Sequence, residues 1–272
     1  MQRSRRADAS RRVISLIENL GYVDYAIIAV AAIGSAVIKN GVGVGAGIFL
    51  LPFLSLVLPA KFALGLGAPI MLISDTAGVV YYWKEWDKNE LLLLLPPAFI
   101  GVILGASMIN AIPNELFRFW VGLFAIVFSS YQLLKLKLLK PETSGGWANW
   151  VSSPKKAMAV LFGFLGGVAS SVIHAGGLVM SLYLIQKARD KRAFVGTFVL
   201  FFAIINLLKV FAYLRIEILT SEIVLLTVII SPLIILGGFL GNALNKRVSH
   251  KTFRALVLAV ILIIGINLLI KI

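Results

Sequence analysis

The chain has 272 residues, 60% of them hydrophobic and 14% charged, with a mean hydropathy of +0.96. A water-facing surface of this size cannot be made from that composition, so a soluble globular domain is excluded and the bilayer is the solvent. The net charge of +14 sits in loops and termini, which assigns it to anionic lipid headgroups and not to nucleic acid. With no cysteine, disulfides, thiolate metal sites and cysteine nucleophiles are excluded.

In chain order, residues 1–21 form a basic N-terminal arm carrying Arg3, Arg5, Arg6, Arg11 and Arg12. No small-residue cleavage site follows a short apolar core, so a retained membrane-surface arm is expected, not a signal peptide. Apolar runs long enough to cross a bilayer are predicted at about 22–40, 63–83, 91–111, 115–137, 193–213, 222–245 and 252–271. Shorter or interrupted runs lie at 43–58, 157–173 and 176–186. The polar stretch around Lys140 to Gly146 divides the chain into a first transmembrane repeat (22–137), a linker (138–156) and a second repeat (157–272). Trp83, Trp86, Trp147 and Trp150 flank apolar runs as interface anchors.

The division is a duplication. Gly47, Lys61 and Ala63 recur as Gly177, Lys191 and Ala193, each 130 positions on. Pro96, Gly101, Gly105, Phe117 and Arg118 recur as Pro232, Gly237, Gly241, Phe253 and Arg254, at an offset of 136, so six residues are inserted between. A duplicated hydrophobic chain broken by glycines at matching places is the pattern of a secondary transporter whose site lies where the halves meet. The expected fold class is an all-α polytopic membrane protein of two homologous repeats, with glycine-broken, re-entrant or discontinuous helices meeting near the midplane. Four basic clusters compete for the cytoplasmic side: the arm, Lys135 to Lys156, Lys187 to Arg192 and Lys246 to Lys251. Placing the last three together gives each repeat an odd number of crossings and makes the repeats inverted, the arrangement adopted here. An even number, with arm and linker on the same side, is the alternative.

Copy one runs from Lys39 and Asn40 through Gly41, Gly43, Gly45 and Gly47 to Pro52. Glycine at alternate positions does not continue a straight helix, and free N–H groups opening a new one cradle an anion. Copy two puts Ser170, Ser171, His174, Gly176 and Gly177 in the corresponding place. Isolated glycines such as Gly43 or Gly105 also serve close helix packing, whereas the duplicated clusters point to a small oxyanion.

These residues carry a resemblance. Gly43, Gly45, Gly47 and Pro52 followed by Lys61 and Ala63, and again Gly176 and Gly177 followed by Lys191, Ala193 and Thr197, resemble the TauE/SafE family of membrane permeases, often called sulfite exporters, over nearly all of residues 22–271. In that family a glycine-rich segment ends in a proline, a Lys-x-Ala stretch leads to a threonine, and a Gly-x-x-x-Gly helix follows. Here Ala46 replaces a usual glycine, copy two lacks the proline near Met180 and Ser181, and copy one has Gly67 where copy two keeps Thr197. The resemblance implies transport of sulfite, sulfonates or carboxylates across the cell membrane and adds Thr197 to the site.

Polar residues inside spans complete the candidates. Asp75, between Ser74 and Thr76, would couple a proton, bind a cation, or form a structural ion pair, with Lys209 the nearest partner to suggest. Asn206 and Lys209, three apart on one helix face, would hold an anion, or Lys209 would snorkel. His174 would sense or carry a proton, or simply pack, and Lys39 would draw an anion in, or snorkel. The substrate-binding set is therefore Asn40, Gly43, Gly45, Gly47, Ser170, Ser171, His174, Gly176, Gly177, Thr197, Asn206 and Lys209, with Asp75 and Lys39 in coupling or gating.

The expected partners are a small anionic substrate and membrane lipids, with a homo-oligomer left open and no nucleic acid. No cofactor and no metal are expected. A cation or proton-coupled transporter is the alternative that Asp75 argues for. An intramembrane enzyme is the alternative of another class, opposed by the absence of H-E-x-x-H and by only two histidines, His174 and His250.

Overall fold

The computed structural model describes residues 15, 18–41, 45–138, 156–187, 191–245 and 250–270. The expectations for the arm before residue 15, for Gly43 and for the linker between 139 and 155 lie outside these. The described residues form ten helices and no strand. In order they are α1 (Tyr22–Gly41), α2 (Ala46–Leu54), α3 (Ala60–Tyr81), α4 (Lys88–Ile109), α5 (Asn114–Leu138), α6 (Lys156–Ile173), α7 (Gly176–Lys187), α8 (Lys191–Arg215), α9 (Ser221–Asn245) and α10 (His250–Ile270).

Seven are long and apolar enough to cross a membrane: α1, α3, α4, α5, α6, α8 and α9. One expectation shifts. The run at 157–173, read as short or interrupted, belongs to a helix of spanning length, Lys156–Ile173. The last run, expected at 252–271, lies in α10, 21 residues long. The outer faces are apolar, with Ile100, Ile103 and Leu104 on α4 and Ile235, Leu236 and Phe239 on α9 all exposed, as lipid requires.

Local chemistry explains the ends that place the site. Asp87 caps α4 by accepting hydrogen bonds from the Asn89 and Glu90 backbone N–H groups, while the Glu90 carboxylate accepts from the Tyr183 hydroxyl at 2.7 Å. Pro59 precedes α3, where its fixed φ leads into the first turn. The C-terminus of α6 closes with an αL cap: the His174 N–H reaches the Ser170 carbonyl at 3.2 Å, and beyond it the Ala175 N–H reaches the Ala169 carbonyl at 3.0 Å. The left-handed position of that motif is usually glycine, yet here it is His174, at φ 55°.

Between lipid-facing helices there is no hydrophobic drive to associate, so small residues and close van der Waals contact decide the pairing. A Cβ on Gly101 of α4 would stand 2.2 Å from the Phe164 carbonyl oxygen of α6, and one on Gly167 of α6 would stand 2.2 Å from that of Ala98. The same device joins α9 to α1, where Cβ atoms on Gly237 and Gly241 would lie 2.8 and 2.5 Å from the carbonyls of Ile33 and Val37. In both pairs the residue numbers rise together, so the helices run parallel. In two other pairs they run antiparallel. Along α3 and α8, Asp75 meets Asn206 and Gly78 meets Val199. Along α5 and α10, Gly122 meets Leu268 while Arg254 donates to the Gln132 side chain at 2.9 Å.

Candidate functional site

The N-terminal turns of α2 and α7, the two helices too short to cross, open on one pocket. Gly45, Ala46, Gly47 and Ile48 line it from one side, Ala175, Gly177 and Leu178 from the other. Gly45 has φ 99°, a conformation open to glycine and strained for other residues. The two turns touch: a Cβ on Gly47 would lie 2.2 Å from the His174 carbonyl oxygen. Gly47 therefore serves a backbone-to-backbone approach at the junction of α6 and α7, whereas Gly41 meets Gly241 of α9 and Gly45 supplies the left-handed turn.

A chain of buried polar groups crosses beside this pocket. The Lys39 ammonium, on the last turn of α1, pairs with Asp75 Oδ1 at 2.6 Å and donates to the Met71 carbonyl at 3.0 Å. Asp75, 1% exposed, accepts at Oδ2 from Asn206 Nδ2 at 2.7 Å. Asn206 Oδ1 then accepts from Lys209 Nζ at 3.0 Å. Lys209, also 1% exposed, donates in addition to Ser170 Oγ at 3.3 Å and meets His174 Nδ1 at 2.6 Å. His174 Nε2 lies 3.1 Å from the Leu64 carbonyl oxygen.

Donor and acceptor roles follow from the partners. A carbonyl only accepts, so His174 Nε2 carries the hydrogen, and Nδ1 is left to accept from Lys209. The imidazole is thus neutral, for a cationic ring would aim a second N–H at the ammonium. The three ammonium hydrogens of Lys209 find three neutral acceptors, Asn206 Oδ1, His174 Nδ1 and Ser170 Oγ. Among the described residues no carboxylate lies within ion-pair distance of Lys209. Lys39 and Asp75 cancel, so with Lys209 protonated the site carries one uncompensated positive charge.

Several expected contacts resolve differently. The ion-pair partner of Asp75 is Lys39, not Lys209, because Asn206 stands between the carboxylate and Lys209. Neither lysine snorkels: each ammonium is turned inward by these bonds. Gly45, Gly47, Ser170, His174, Gly177, Asn206, Lys209 and Lys39 all line the pocket, while Asp75 lies one bond behind it.

Four expected residues are not brought there. Asn40 folds back onto the Ala36 carbonyl at 2.9 Å. The Ser171 hydroxyl bonds the Val168 carbonyl at 3.1 Å, and its own carbonyl accepts from the buried Tyr213 hydroxyl. Gly176 packs on Gly166 and Ser170. Thr197 Oγ1 accepts from the Asp87 backbone N–H at 2.8 Å, holding the loop before α4 against α8. The departure at Gly67 has a physical reason: a Cβ there would stand 2.5 Å from His174 Nε2.

Sequence reasoning missed the apolar wall of Phe198, Phe202 and Met71, and the accepting carbonyls of Leu64 and Met71. Phe198 and Phe202 stand four apart on α8 with ring centroids 4.7 Å apart. That spacing is visible in the sequence but is common to any buried helix face. A main-chain carbonyl leaves no signal at all.

Spanning helices around a buried polar pocket built on helix termini define a membrane transporter as a class. The sequence matches the family described as "Sulfite exporter TauE/SafE" over residues 26–268, nearly the whole chain, and belongs to it. It is thus a multi-pass cell-membrane protein of a transporter family. No match is found among the curated proteins or among the solved structures.

Proposed function

We propose that the chain is a permease for small organic or sulfur-containing anions, such as sulfite, sulfonates or carboxylates, working by alternating access of two inverted repeats. The observation that carries this reading is Lys209, a buried ammonium with no carboxylate partner among the described residues, lining a pocket onto which two helix N-termini open. A lone positive charge in a low-dielectric interior is costly. An anion would offset it, and the positive ends of the α2 and α7 dipoles would add to the attraction. The oxyanion would take the place of the longest Lys209 contact, that to Ser170, and any organic part would lie against Phe198, Phe202 and Leu178.

The repeat reading is supported by the way the helices pair. Exchanging the first five helices with the second five turns the α4 and α6 pair into α9 and α1, both parallel and both joined through Gly-x-x-x-Gly residues of matching position. It turns the pairs α3 with α8 and α5 with α10 into themselves, and both are antiparallel. A two-fold axis that relates antiparallel spanning helices lies in the membrane plane, which inverts one repeat relative to the other. The N-terminal arm and the linker then face opposite sides of the membrane, a placement that impermeant labelling of single cysteines at the two locations checks.

The functional test is flux of labelled sulfite, sulfonates and carboxylates into proteoliposomes, with and without an imposed pH gradient. Saturable flux of one of these anions is expected, and its response to the gradient identifies the coupling. No flux of any anion in correctly inserted protein would overturn the reading and favour a cation, for which Asp75 would be the ligand.

A further inference from the structure

We infer that Asp75 sets the charge of the anion: by holding Lys39 in an ion pair it leaves Lys209 as the single cation without a carboxylate partner among the described residues of the pocket, so the pocket selects monoanions over dianions. This rests on the anion-permease reading and adds to it a specificity-determining residue that does not itself line the pocket.

The charged and polar groups facing one another here are Lys39, Asp75, Asn206, Lys209, His174 and Ser170. Lys39 is committed, with Asp75 Oδ1 at 2.6 Å, the Met71 carbonyl at 3.0 Å and Met71 Sδ at 3.8 Å around its ammonium. Asn206 decides what Lys209 sees. Its amide donates to Asp75 and its carbonyl accepts from Lys209, an orientation fixed at both ends because a carboxylate only accepts and an ammonium only donates. The carboxylate is thereby kept one residue away from Lys209. Direct contact between Asp75 and Lys209 would fill the site with an internal anion and leave nothing for a substrate.

A monoanionic headgroup at Lys209 brings the site to neutrality. A second negative charge on the same headgroup would find Lys39 already paired and would face the Asp75 carboxylate across Asn206 in a poorly screened interior. One unbalanced unit of charge at such a spacing is worth on the order of tenfold in affinity or more.

Methanesulfonate and sulfate test this, since both are tetrahedral and differ by one charge. Equilibrium binding of each labelled anion to the purified protein in proteoliposomes should favour methanesulfonate by about tenfold or more. Asp75→Asn frees Lys39 and should move the ratio toward sulfate by a similar factor. The double variant Lys39→Met, Asp75→Asn removes both charges of the pair and should restore the wild-type ratio, which separates charge from any change of shape. If Asp75→Asn fails to insert, the wild-type ratio and the double variant still decide. Equal binding of the two anions by the wild type, or a ratio in Asp75→Asn equal to the wild-type one, would overturn the charge-selection idea and leave the permease intact. Binding of neither would likewise overturn the charge-selection idea, while the permease reading falls only if no anion is carried in the flux assay.

Discussion

Gly47→Ala is a small change with a large expected effect, and Gly177→Ala is its control. The added Cβ at 47 would lie 2.2 Å from the His174 carbonyl oxygen and 2.7 Å from its Cβ, whereas ordinary contacts begin near 3.4 Å. The obstructing atoms are backbone, so α2 and the α6–α7 junction must separate by about 1 Å, and overpacking of this kind costs ~1–3 kcal/mol. The same separation moves His174 relative to Lys209, whose contact at 2.6 Å has no slack. At Gly177 the nearest atom to an added Cβ is the tip of the Phe198 ring at 3.3 Å, a side chain able to yield. Thermal unfolding of detergent-purified protein and anion flux in proteoliposomes, measured on both variants, should show Gly47→Ala destabilised and severely impaired and Gly177→Ala close to wild type. Wild-type flux and stability in Gly47→Ala, or equal loss in the two variants, would refute the argument that α2 and the α6–α7 junction meet in backbone contact at the site.

Lys39→Met should destabilise by ~3–5 kcal/mol because it strands a buried carboxylate, and adding Asp75→Asn should recover most of that loss in chemical denaturation. His174→Gly puts the preferred residue at the left-handed position of the α6 C-cap, a local gain of about 1 kcal/mol, yet removes an acceptor of Lys209 and the donor to the Leu64 carbonyl. The variant should insert normally while anion binding falls at least tenfold, as measured by equilibrium binding. Thr197→Ala should cost ~1–2 kcal/mol of stability through the lost bond to the Asp87 N–H and leave the substrate KM unchanged; a raised KM would return Thr197 to the site.

The bilayer environment and the helical elements are legible in the sequence, because hydropathy over a bilayer-length window is a local pattern. Gly101 and Gly105, with Gly237 and Gly241, could be seen to match, and their role in packing follows from small residues being what lets spanning helices approach. Asn206 and Lys209 were legible as a pair because three residues on a helix bring side chains together. What only the tertiary structure decided is which distant groups meet. Asp75 finds Lys39 across 36 positions because α1 and α3 pack together, and it is kept from Lys209 because Asn206 intervenes. Thr197 and Asn40 carry the right chemistry for an anion site but spend it on the Asp87 N–H and on the Ala36 carbonyl. A sequence states which groups can donate and accept. Which partner each one takes depends on three-dimensional distance, and in a low-dielectric interior every buried polar group must take one.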